Sequence, residues 1–202
     1  MNVALIGATG NVGSRILDEL LSRGHAVTAI ARNTEKLSGR KGVTARTGDV
    51  NDALALATLI KGCEAVISAV PFRTSDPATL VKAVEESGAR RYLVVGGAGS
   101  LEVAPGVRLI DTPEFPEAYR QEATAGAAFL DFLRTQDKLD WTFLSPSALF
   151  VPGERTGRFR LGKDQLLVGE KGSTISFEDF SVALVDELEK PAHPRQRFTV
   201  GY

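Results

Sequence analysis

Three glycines carry the first chemical signal. Gly7, Gly10 and Gly13 stand three residues apart in the stretch from Gly7 to Gly13, which reads GATGNVG. The apolar run Val3–Ile6 precedes them, and Val12, Ile16, Leu17, Leu20 and Leu21 follow at helical spacing. A strand that turns through glycine into a helix aims unpaired main-chain N–H groups and the positive end of the helix dipole at one point. That point suits a diphosphate. Gly7 permits the tight turn, Gly10 lets the diphosphate approach the backbone, and Gly13 lets helix and strand pack closely. Gly7, Thr9, Gly10, Asn11 and Val12 are therefore the expected phosphate contacts of a dinucleotide. The GxxGxxG spacing differs from the GxGxxG of most dehydrogenases, and a glycine-rich structural turn is the alternative.

Further signals fall at the ends of the following apolar runs. A carboxylate after the second strand would bind the ribose 2′-hydroxyl of NAD. Here the residues are Ala31, Arg32 and Asn33. A guanidinium at Arg32 pairs with a 2′-phosphate that a carboxylate would repel, which points to NADP, with NAD as the lesser option. A solvated loop arginine is the plain alternative. Asp49 suits the adenine amino group, with Val50 against the ring, and Asp49 suits equally the N-cap of a helix starting near Asn51. Ala69, Val70 and Pro71 are expected along the ribose, and Gly97 with the segment Ser145, Pro146 and Ser147 near the nicotinamide.

The elements that must position these residues follow from the same runs. Candidate strands at 3–6, 26–30, 43–46, 65–70, 92–95, 141–144 and 198–200 alternate with candidate helices at 12–23, 52–61, 77–87, 118–135 and 177–189. Ser176 is the expected N-cap of the last helix, with Asp179 at its third position. The strands are continuously apolar, so both faces must be covered, as in a parallel sheet flanked by helices. The expected fold is α/β: a Rossmann-type doubly wound parallel sheet in the order 3-2-1-4-5-6(-7), with helices on both faces. The segment 100–117 reads as a long loop over the carboxyl edge of the sheet. The stretch 146–175, rich in Gly and Arg, reads as a short hairpin. The expected organisation is one domain, 1–202, with small substrate-side elements from about 146 to 202.

Composition narrows the function classes. The 202 residues carry 24 Lys and Arg against 25 Asp and Glu, a formal net charge of -1, without the basic excess of a general nucleic-acid binder. One cysteine and two histidines give neither a disulfide framework nor a metal set, so no metal is expected. No apolar run approaches the ~20 residues of a membrane helix, and the N-terminus lacks the basic start of a signal peptide. The expected setting is cytoplasmic, the expected partner a small-molecule acceptor, and the expected state a monomer or homodimer. His25 and His193 read as surface residues, Cys63 as a small buried one, and Trp141 as packing. Phe72 and Phe150 fall just past strands, where they could form an apolar floor for a planar substrate. Arg155, Arg158 and Arg160 read either as an anion site or as a solvated hairpin.

GATGNVG, the arginine after the second strand and Gly48-Asp49-Val50 resemble the atypical branch of the short-chain dehydrogenase/reductase superfamily. The nearest groups are NmrA-like and NAD(P)H-binding proteins, including those assigned as NADH-flavin reductases and those similar to biliverdin reductase B. The likeness extends to the segments 141–146, 155–157, 175–176 and 193–199. The superfamily implies a Ser or Thr after the fifth strand and a Tyr-x-x-x-Lys pair, whose tyrosine acts as acid/base. Ser100 lies two residues past the expected place. Tyr119 is the one tyrosine in the expected region, but Ala123 stands four residues later. A frame set on the end of the helix before the sixth strand puts Glu122 and Gly126 at the two positions instead. Neither frame completes the pair, and no lysine occurs between Lys82 and Lys138. Ser100 and Tyr119 remain the candidate catalytic residues. The resemblance implies an NAD(P)H-dependent reductase acting on a flavin-like or quinone-like acceptor by direct hydride transfer. The alternatives are a non-catalytic NmrA-like NADP(H) sensor and an epimerase- or dehydratase-like enzyme.

Overall fold

The apolar runs become parallel strands. The computed structural model describes every residue from Met1 to Tyr202. Strands β1 (Asn2–Ile6), β2 (Ala26–Ala31), β3 (Val43–Thr47), β4 (Ala65–Ser68) and β5 (Arg91–Val95) are interleaved with helices α1 (Asn11–Ser22), α2 (Ala53–Ile60) and α3 (Pro77–Ser87). A short antiparallel pair follows, β6 (Glu102–Ala104) and β7 (Val107–Arg108). The chain continues through α4 (Glu117–Arg134), β8 (Asp140–Pro146), β9 (Leu149–Val151), β10 (Arg160–Gly162), β11 (Thr174–Ser176), α5 (Phe177–Glu189) and β12 (Gln196–Gly201).

The main sheet has eight strands in the order β10-β12-β8-β5-β4-β1-β2-β3. All pairings are parallel except β10 against β12. With β8 and β12 as sixth and seventh strands, the expected order holds, and β10 adds an antiparallel edge. Helices cover both faces. One core gathers Ile16, Leu17 and Leu20 of α1 with Phe180, Leu184 and Leu188 of α5. The other gathers Leu56 of α2, Leu80 and Val84 of α3 and Phe129, Leu130 and Leu133 of α4. Burying each such side chain contributes roughly 1.5–3 kcal/mol, which is why the central strands β1, β4 and β5 carry no polar alternation. Asp52, Asp76 and Ser176 cap α2, α3 and α5 by accepting from the N–H groups of Ala55, Thr79 and Asp179.

The structure departs from expectation in several places. The segment 146–175 is not a hairpin: β9 pairs in parallel with β11, and β10 joins the main sheet. The intervening residues 152–159 are tied along α1 and α5 instead. Gly153 N–H donates to Glu178 at 2.8 Å, Gly157 N–H to Asp179 at 2.7 Å, and Arg155 to Glu19 at 2.7 and 2.8 Å. The segment 100–117 holds β6 and β7 and folds back on the β5 end, where Ile110 N–H donates to Gly99 O at 2.9 Å. His25 is buried, with Nε2 2.9 Å from Glu189. His193 is half-buried, stacked on Phe198 and 2.8 Å from Glu187. Both histidines found carboxylates on α5, which the local sequence did not reveal. Trp141 is buried packing, and burial raises the Cys63 thiol pKa, opposite to what a nucleophile needs.

Candidate active site

Parallel pairing brings the ends of β1 to β5 and β8 to one edge of the sheet, and the strand order reverses between β1 and β4. Crevices at such switch points are where open α/β sheets bind ligands. Two of the three glycines there are required by the chain itself. Gly7 has φ 85°, and a Cβ on it would meet Ala69 O at 2.3 Å. A Cβ on Gly13 would lie 2.1 Å from Gly7 O. Gly10 differs, because its φ of -71° and ψ of 171° suit any residue. A Cβ there would have only Gly7 O at 3.3 Å and Ala69 O at 3.9 Å as near neighbours. The protein could take a small side chain at Gly10 with a shift of a few tenths of an ångström, so the glycine keeps outer space open.

That space lies at the start of α1. The helix has no side-chain cap and no acidic residue in its first turn, and its first ladder bond runs from Ser14 N–H to Gly10 O. The N–H groups of Asn11, Val12 and Gly13 precede the ladder and remain available. Thr9 and Asn11 are exposed beside them. Arg32, past β2, is exposed and makes neither an ion pair nor a hydrogen bond. Asn33 is folded onto Glu35, accepting from its N–H at 2.9 Å. Asp49 is not the N-cap of α2, a role Asp52 holds. Asp49 instead accepts from Asn51 N–H at 2.9 Å through one oxygen, leaving the other open. Val50 packs against the core beside it. Ala69 is held by its N–H to Ile6 O at 2.9 Å, and Val70 and Pro71 carry the chain on from it.

Next along the edge is a cavity of about 600 Å³ bounded by 22 residues, within the usual range for small-molecule sites. It takes in Gly97 and Ser100 past β5, Pro146 at the end of β8, and Tyr119 on the first turn of α4. Phe72 forms one side, with its ring 5.3 Å from that of Phe129 and 5.9 Å from that of Phe143. Phe150 forms another, 4.7 Å from both Phe177 and Phe180. The expected apolar floor is therefore present. A Cβ on Gly97 would have only Phe72 Cε2 nearby, at 3.9 Å. Like Gly10, Gly97 leaves main chain bare toward a ligand.

The wall on α4 is not built as a tyrosine–lysine pair. Glu122 accepts the N–H groups of Phe72 at 2.7 Å and Arg73 at 3.2 Å. The Phe72 ring lies where a side chain on Gly126 would be, 2.9 Å from its Cβ position. Tyr119 is 66% exposed and its hydroxyl has no partner, while Ala123 packs on Gly99. Ser100 Oγ accepts from Arg197 at 3.2 Å and keeps its own hydrogen free. The arginines 155, 158 and 160 do not border the cavity. Arg155 is held by Glu19, and Arg160 donates to the main-chain oxygens of Val168 and Tyr202. Sequence reasoning missed the Glu122 clamp and Arg197, since an amide acceptor on a helix and a buried arginine on a strand carry no local motif.

Comparison with known proteins places the chain in a family. Residues 7–191 match the NAD(P)H-binding family. The uncharacterized protein YwnB of Bacillus subtilis is 42% identical, over 99% of this chain and 98% of its own. A Bacteroides thetaiotaomicron protein described as a "putative epimerase" shares 43% identity with a TM-score of 0.94, covering 100% of this chain and 96% of that one. A Streptococcus pneumoniae protein described as a "putative NADH-flavin reductase" shares 38% identity with a TM-score of 0.84, covering 100% and 99%.

Proposed function

Because the chain belongs to the NAD(P)H-binding family, we propose that it is a reductase that passes hydride from NADPH to a planar flavin-like or quinone-like acceptor. The observation that carries this reading is adjacency. An open dinucleotide edge from Gly10 to Pro71 runs directly into an apolar cavity through Phe72 and Gly97. When bound, the reduced nicotinamide supplies the hydride. The residues of this chain do the rest. Main-chain N–H groups of 11–13 hold the diphosphate, and Arg32 favours the 2′-phosphate form of the dinucleotide. Gly97 admits the two rings to close approach, and Phe72 and Phe150 set the acceptor plane. Ser100 and Tyr119 offer hydroxyl hydrogens at the cavity, and the proton for a reduced quinone or flavin is supplied by them or by water. In this reading 1–202 acts as one unit, with the elements after 146 closing the acceptor side.

Two other readings are weaker. An epimerase in this superfamily would need an acid/base pair on the α4 wall, which Glu122 and Phe72 occupy structurally. A dinucleotide sensor leaves the apolar cavity beside the dinucleotide edge without a role. The test is to mix the protein with NADPH and an acceptor and follow the absorbance of the reduced nicotinamide. Acceptor-dependent oxidation supports the reductase. Tight binding of the oxidised dinucleotide with no turnover of the reduced form supports the sensor and refutes the reductase.

A further inference from the structure

The charge around the cavity narrows the acceptor class. None of the 22 bounding residues is lysine, arginine or histidine. Of the two carboxylates present, Glu122 is committed to the amides of Phe72 and Arg73, and Glu114 is exposed at the mouth without an ion pair. Three arginines behind the lining are engaged. Arg197, behind Ser100, donates to Asp164 at 2.6 and 2.8 Å. Arg120 is bound to Glu117 and to Ile110 O, and Arg108 to Asp111. The free side-chain donors inside are hydroxyl hydrogens. Ser100 and Ser173 accept from Arg197 and from Ala148 N–H, so both can still donate to a neutral carbonyl.

We propose, resting on the reductase reading above, that the acceptor is an uncharged planar ring, a quinone or an unphosphorylated flavin, and that the cavity selects against acceptors bearing phosphate, sulfonate or carboxylate groups. An anion brought here would lose water without gaining a cation, and Glu114 would repel it at the entrance. For a quinone the balance is simple. The hydride brings two electrons and one proton, a second proton comes from water or a hydroxyl relay, and the products are the hydroquinone and the oxidised nicotinamide.

Matched pairs test this directly: riboflavin against FMN, and 1,4-naphthoquinone against its 2-sulfonate. Affinity of the NADP-loaded protein for the flavins is read by quenching of their fluorescence, and KM for the quinones by steady-state kinetics. The expected result is at least a tenfold preference for the uncharged member of each pair. In Glu114→Lys, a change at an exposed unpaired residue, the preference should fall several-fold. Equal binding within each pair, or a preference for the charged member, overturns the selectivity but leaves the reductase reading intact. An unchanged preference in Glu114→Lys overturns the role given to Glu114. If protein that binds NADPH neither binds nor reduces any of the four, both the selectivity and the reductase reading fail.

Discussion

Replacing Gly10 by Asp should separate folding from binding. The φ and ψ at Gly10 are ordinary, and a Cβ meets Gly7 O at 3.3 Å, a contact a small shift relieves. Gly10 is the uncapped N-cap of α1, and aspartate is among the best N-caps, better than glycine by a few tenths of a kcal/mol. Stability should therefore change by no more than about 1 kcal/mol, or roughly 2–4 °C in Tm for a chain of this size. Binding should collapse. The new carboxylate takes an N–H that the diphosphate needs and places a negative charge against it. At about 4 Å and an effective dielectric of about 20, that repulsion is about 4 kcal/mol, or about a thousandfold in Kd. Thermal melting and calorimetric titration with NADPH measure the two effects separately. A variant that melts within the expected range yet binds NADPH within tenfold of the unsubstituted protein would refute the placement of the diphosphate.

Other outcomes follow from the same geometry. Arg32→Asp should reverse the preference from NADPH to NADH with stability changed by under about 0.5 kcal/mol, since Arg32 is exposed and unpaired; unchanged ranking of the two dinucleotides by titration contradicts the 2′-phosphate assignment. Tyr119→Phe should leave single-turnover hydride transfer nearly intact, and a loss of more than about 100-fold would make Tyr119 the general acid. Glu122→Gln weakens the clamp on Phe72 and Arg73 by about 1–2 kcal/mol, so KM for the acceptor should rise about tenfold while NADPH affinity stays within about twofold; equal losses in both would place Glu122 elsewhere in the function. The hydrogen bond from Arg155, with help from Arg23, holds the buried Glu19 carboxyl below its ordinary pKa. Its contribution to stability is therefore complete above the unfolded carboxylate range and is lost as pH falls through the lowered value. Glu19→Gln should melt at lower temperature at neutral pH and show a shallower acid decline; an acid limb of unchanged slope contradicts this.

Much of the fold was legible because its signals are local. Continuous apolar runs required covered strands, and helical spacing in 12–21 required a packed α1. Asp179 shows the limit. As the third residue of α5 it was expected in a capping box, and its N–H does donate to Ser176 Oγ, but its carboxylate accepts from Thr156, Gly157 and Tyr202. Those partners lie more than twenty residues away, so no window of sequence could reveal them. The same distance hid the carboxylate beside His25, the parallel pairing of β9 with β11, and the attachment of Arg155 to Glu19. At the site, the glycine turn was readable as a motif because backbone conformation acts there residue by residue. The cavity was only half readable. Phe72 and Phe150 could be placed by strand ends, but the Glu122 clamp joins positions 50 residues apart.

In the proposed function the dinucleotide edge delivers its nicotinamide to the cavity mouth. A crystal structure of the protein with NADP is the most direct measurement. It should show the diphosphate on the main-chain N–H groups of 11–13, the 2′-phosphate at Arg32, and the nicotinamide face open to the cavity between Phe72 and Gly97. An empty edge at saturating NADP, or a nicotinamide turned away from Gly97, would contradict it.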